Sequence, residues 1–163
     1  MKKNIVLGLL FCIFAVFPLN AANVSFLVME TGIQQGSPSV RYSTLWENGL
    51  MEVFFEFGHI VSNAPMMQLF ERPKDIFPAE AERDYKDAKE GGIDFFIIAI
   101  INYPTTRANA VKPQNVILRL FNTKSENLLH EKTYSDTKSK TPKEEYDFIK
   151  DAVAEFAVNL RRQ

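Results

Sequence analysis

Ile93-Asp94-Phe95-Phe96-Ile97-Ile98-Ala99-Ile100-Ile101-Asn102-Tyr103 is the run that decides how this chain folds. Its apolar residues do not alternate with polar ones. β-Branched and aromatic side chains dominate it, which favours a strand over a helix. Phe95, Ile97, Ala99 and Ile101 fall on one face, and Phe96, Ile98 and Ile100 on the other. A strand that is apolar on both faces belongs in the middle of a sheet, with cover on each side.

Upstream, Pro78 opens a helix in which Ala81, Tyr85 and Ala88 share a face, and Gly91-Gly92 ends it. Met66 to Phe77, set among prolines, holds at most one short helical turn. His59 to Ser62 reads as a brief strand. Before it, a helix runs from Pro38 to about Phe57, because Trp46, Leu50, Val53 and Phe57 recur with a helical period and Gly58 follows them. Val24 to Met29 is a short first strand.

Downstream, Val116–Phe121 and Leu128–Tyr134 form an antiparallel hairpin about Asn122 to Asn127. Thr141, Pro142 and Glu144 make a capping box for a last helix, whose stripe is Ile149, Val153, Phe156 and Leu160. The order is β-α-β-α-β-β-β-α, an α/β or α+β sandwich with a mixed sheet, about five strands and three helices.

The chain begins with a different kind of segment. Lys2 and Lys3 precede the apolar run Ile5 to Phe17, Pro18 breaks that run, and Ala21-Ala22 supply small residues. This pattern predicts an export signal over residues 1–22, cleaved to leave a single domain over 23–163 in the periplasm or outside the cell. No later apolar stretch is long enough to span a membrane as a helix. The only cysteine, Cys12, lies in that leader and is preceded by Leu9-Leu10-Phe11 rather than the small residues of a lipidation site. The mature chain then carries no disulfide and no thiolate metal site.

Charge excludes one class of partner. With 19 basic and 20 acidic residues and no basic block, nucleic-acid binding has no support. Catalytic chemistry fares no better. His59 and His130 are the only histidines and lack metal-ligand spacing. His59 reads as a strand-boundary residue and His130 as a solvent-facing one. Glu52 with Glu56 and Asp147 with Asp151 stand one helical turn apart, the spacing of a solvated face. No nucleophile elbow or phosphate-binding glycine motif occurs, so no enzyme, cofactor or metal is expected.

The element order, the helix closed by Gly58 and the step Ala88-Lys89-Glu90-Gly91-Gly92-Ile93-Asp94-Phe95 into the apolar strand carry a family likeness. The chain resembles the periplasmic αβ domain shared by the curli-secretion lipoprotein CsgG, the penicillin-binding-protein activator LpoB and the amino-terminal domain of TolB. That resemblance implies a cell-envelope binding or assembly domain and no enzyme. It departs in lacking a lipidation cysteine and any segment long enough for pore-forming strands, so pore formation is not carried over.

Surplus apolar surface points the same way. Relative to Trp46, Met51 and Phe55 sit at about 140° and 180° around the first helix, away from its core stripe. With Phe96 and Ile98 on the second face of the central strand, they are the expected partner surface, for an envelope protein or a second copy. The alternative is a small-molecule or glycan site in the loops Thr31–Ser39 and Tyr103–Pro113, with Thr31, Gln34, Gln35 and Arg107 as its polar groups.

Overall fold

The computed structural model describes residues 21–32, 40–104, 112–135 and 141–160. The fold is α+β: a mixed six-stranded sheet with three α-helices. In chain order the elements are β1 (Asn23–Thr31), α1 (Val40–Glu56), β2 (Ile60–Asn63) and β3 (Met67–Leu69). A 3-10 turn (Ala79–Ala81) leads into α2 (Glu82–Glu90), followed by β4 (Phe95–Asn102), β5 (Asn115–Asn122), β6 (Leu128–Ser135) and α3 (Pro142–Ala157).

The sheet order is β2-β1-β4-β5-β6, with β3 also on β1. β1 lies parallel to β2, β3 and β4, whereas β4–β5 and β5–β6 are antiparallel. The Ile93–Tyr103 run therefore occupies the interior of the sheet as expected, and every residue from Phe96 to Tyr103 is buried. One expectation is corrected. Met66–Phe77 contains strand β3 and not a helical turn, because Met67–Leu69 pairs in register with Met29–Thr31. β2 covers only the first half of β1, and β3 satisfies the backbone groups of the second half.

The two faces of the sheet are closed by different means. On the first, α1 and α3 lay Trp46, Leu50, Val53, Phe54, Ile149, Val153 and Phe156 over Val24, Phe26, Val28, Ile97, Ala99 and Ile101. The helices approach closely at Gly49, where any added methyl would collide with Cγ2 of Ile149. Across their exposed side Glu52 accepts hydrogen bonds from Tyr146 and from Lys150. Gly58 turns the chain out of α1 with φ +83°, a conformation that glycine adopts without strain. The Thr141 side chain accepts from the Glu144 amide, so the α3 cap forms as the sequence predicts.

On the second face a thinner lid made of the 3-10 turn, α2 and the segment before them covers Leu27, Met29, Phe96, Ile98, Ile100, Ile117 and Phe121. Phe77 packs edge-on to Phe121 and to Tyr85, with ring centres 5.2 and 5.0 Å apart, and Tyr85 packs likewise on Phe96. Arg119 fastens this lid. It is buried in β5, donates to the carbonyls of Asp75 and Ile76 at 2.8 and 2.7 Å, and pairs with Glu131 at 2.7 Å.

Candidate functional site

At the carboxyl ends of β1 and β4 the chain leaves the sheet, the place where ligands of α/β sheets collect. Three aligned residues there form a ladder of side-chain hydrogen bonds. Thr31 Oγ1 donates to Asn102 Oδ1 at 2.6 Å, and Asn102 Nδ2 donates to Asn115 Oδ1 at 2.5 Å. Their alignment follows from the pairing of Thr31 with Asn102 and of Asn102 with Asn115.

Glu30, one residue before Thr31, points to the opposite face and is fully buried. Gln68 of β3 donates to its Oε2 at 3.3 Å, while Oε1 is buried with no hydrogen-bond partner among the described residues. The nearby Tyr103 hydroxyl shares a 2.8 Å hydrogen bond with Ser43 of α1. Burial pushes this phenol well above its ordinary range, Glu30 pushes the same way, and the Ser43 bond opposes them. The cluster offers amides, hydroxyls and one carboxyl, which suits recognition by hydrogen bonding. Among the described residues no three of His, Cys, Asp or Glu stand close enough to hold a metal ion.

The residues singled out from sequence divide sharply. Thr31 is buried within the ladder, and Gln34, Gln35 and Arg107 lie outside the described residues. Phe55 is 72% exposed, whereas Met51 is half-buried against the main core. Phe96 and Ile98 are fully buried and therefore are not surface: the lid held by Arg119 and Phe77 covers them within the chain. The histidines also separate. His59 is buried and its Nδ1 accepts from the Ala22 amide at 3.3 Å. His130, expected in solvent, is half-buried with its ring 5.2 Å from that of Phe156. Glu52 and Glu56 both reach Lys150, which makes them a tie between helices.

Sequence reasoning missed the outer margin of β2 and β3. Each pairs with β1 on one side only. Ile60 is 65% exposed at the start of this margin and Phe70 is 100% exposed just past its end. The signal was there: Ile60 to Phe70 contains no charged residue. The opposite margin, β6, instead carries Glu131 and Lys132, engaged by Arg119 and Glu155. Charges of this kind discourage pairing with another chain, and an uncharged margin lacks that defence.

No protein-family model matches the chain, and neither does any curated protein. Among solved structures it is similar to the PelC dodecamer from Paraburkholderia phytofirmans, at 10% identity over 86% of this chain and 87% of that one, with a TM-score of 0.44. Lipoprotein GNA1162 from Neisseria meningitidis is similar at 15% identity over 82% of this chain and 98% of that one, with a TM-score of 0.45. TolB from Acinetobacter baumannii is similar at 11% identity over 88% of this chain but 29% of its own, with a TM-score of 0.39. Among the described residues no helix is long and apolar enough to cross a membrane.

Proposed function

We propose that this protein is a non-enzymatic binding domain of the cell envelope, and that a protein partner adds to the sheet along the β2–β3 margin. The observation that carries this reading is the coincidence of one-sided strands, an uncharged run and exposed Ile60 and Phe70, with Phe55 also exposed at the end of α1, five residues before Ile60. Strand addition of this kind draws affinity from backbone hydrogen bonds and specificity from alternate side chains. The leader places the domain outside the cytoplasm. Its removal is expected after Ala22, which leaves a domain that begins with β1 at Asn23.

Two measurements test this. The intact mass of the protein recovered from the envelope should match a chain beginning at Asn23; a cytosolic protein beginning at Met1 sinks the export reading. A photo-crosslinker placed at position 60 or 70 in living cells should capture one discrete partner, and Phe55→Asp with Phe70→Asp should abolish that product. Equal capture from position 86, an exposed site on α2, would remove the margin from consideration.

A further inference from the structure

Where β1 begins beside β4, one carboxylate ties three segments together. Asp94 stands immediately before β4, and its Oδ2 accepts from the backbone N–H of Asn23, the first residue of β1, at 3.0 Å. Its Oδ1 accepts from Lys124 Nζ, also at 3.0 Å, in the turn that follows β5. The backbone returns the tie, since the Asp94 amide donates to the Asn23 carbonyl at 2.8 Å. The Asp94 carbonyl in turn accepts from the amide and the hydroxyl of Thr123, each at 3.1 Å. Asn23 and Asp94 are thus held against each other, and the pairing of Val24 with Phe95 continues the seam.

The leader boundary falls on this contact. Once residues 1–22 are removed, the Asn23 nitrogen is no longer a neutral amide but an α-amino group, protonated at neutral pH. It keeps its place 3.0 Å from the Asp94 carboxylate. A hydrogen bond between two ionised partners is stronger than one from a neutral amide.

Processing also gives something up. The Ala22 carbonyl, which accepts from the Ile60 amide at 3.0 Å, leaves with the leader, and so does the Ala22 amide, which donates to His59 Nδ1 at 3.3 Å. Both contacts lie on the β2 side. The exchange loosens β1 from the short outer strand and ties it to the interior one. The other charges of this corner are occupied with each other: Glu126, in the same turn as Lys124, pairs with Lys89 of α2. The Asn23 side chain donates to the Gly92 carbonyl at 3.4 Å, which keeps the residue in place.

We infer that cleavage after Ala22 creates an ion pair between the Asn23 α-ammonium and Asp94, so that maturation itself fastens the first strand to the middle of the sheet. This rests on the export reading of residues 1–22 and is independent of the β2–β3 margin.

The mature protein purified from the envelope carries its native amino terminus, which its intact mass identifies. Its α-amino group, followed by NMR, should titrate above the ordinary range of about 7.7–8.0, and Asp94→Asn should return it to that range. A group whose pKa is raised by folding stabilises below its unfolded value and stops doing so as pH rises through the folded one. The urea midpoint of the free-amine chain, relative to the same chain acetylated at Asn23, should therefore fall as pH rises from about 7 to about 10. In Asp94→Asn that difference should not change with pH. An amine that titrates in the ordinary range, or that stays raised in Asp94→Asn, overturns the ion pair and leaves the export reading standing. A processed chain that begins at any residue other than Asn23 overturns it too, and a cytosolic chain beginning at Met1 removes the export reading with it.

Discussion

The first face of the sheet is covered by two long helices and the second by a thin lid, and the two depend on different physics. Under α1 and α3 nearly every contact is hydrocarbon, and the helices interlock at Gly49 and Ile149. The lid brings one short helix, a 3-10 turn and Phe77, and it is fastened by Arg119, a charged group inside an apolar strand. Dispersion and burial supply most of what holds the thick layer, with the Glu52 ties to Tyr146 and Lys150 at its exposed side. The thin layer has less area to bury and adds directed hydrogen bonds from a charge, which are individually stronger.

The largest effect should come from emptying the thick face. Phe156→Ala removes a fully buried ring and should cost about 3–5 kcal/mol in urea unfolding. Phe77→Ala on the half-buried lid should cost less than that; an equal loss would erase the distinction between the faces. Arg119→Met comes next, at about 1–3 kcal/mol, since it leaves the Asp75 and Ile76 carbonyls without their donor. Combined with Phe77→Ala its effect should be non-additive, because both hold one segment. Additive losses would show that Arg119 and the ring act independently.

A third variant probes the strand ends that both faces share. The Asp94 carboxylate accepts from the Asn23 amide at 3.0 Å and pairs with Lys124 at 3.0 Å, and these hold its pKa below the ordinary carboxylate range, the Asn23 bond being the larger cause. A group depressed in the folded state stabilises above its unfolded value, near about 4, and loses that contribution as pH falls through the lower folded value. The stability gap between wild type and Asp94→Asn should therefore be present at neutral pH and close in acid. A gap independent of pH would show that the carboxylate charge is immaterial. The smallest effect belongs to Phe55→Asp, expected within about 0.5 kcal/mol at an exposed position. A larger loss would mean that Phe55 packs in solution and is unavailable to a partner.

Much of the fold was legible because it is written locally. The interior strand, the α3 cap at Thr141, the Gly58 turn and the stripe from Trp46 to Val53 each follow from residues within one or two turns of one another. β3 was not legible. Met67–Leu69 becomes a strand only because β2 stops short and leaves half of β1 unpaired. The burial of Phe96 and Ile98 was equally hidden, since it depends on a lid whose fastening, Arg119, looks from its neighbours like a lone charge in an apolar run. The polar ladder was half visible: Thr31 stood out, but its partners Asn102 and Asn115 are set by register. The exposed margin could have been found from its uncharged composition alone.

By itself, then, the chain's order of residues determined the helices and every strand but β3, and that Ile93–Tyr103 lies innermost, because periodicity and capping act between near neighbours. Only the tertiary structure decided which apolar residues remain in water and which rings pack against one another. Those outcomes rest on contacts between residues dozens of positions apart, such as Trp46 with Tyr134 and Arg119 with Asp75, and no local pattern encodes them.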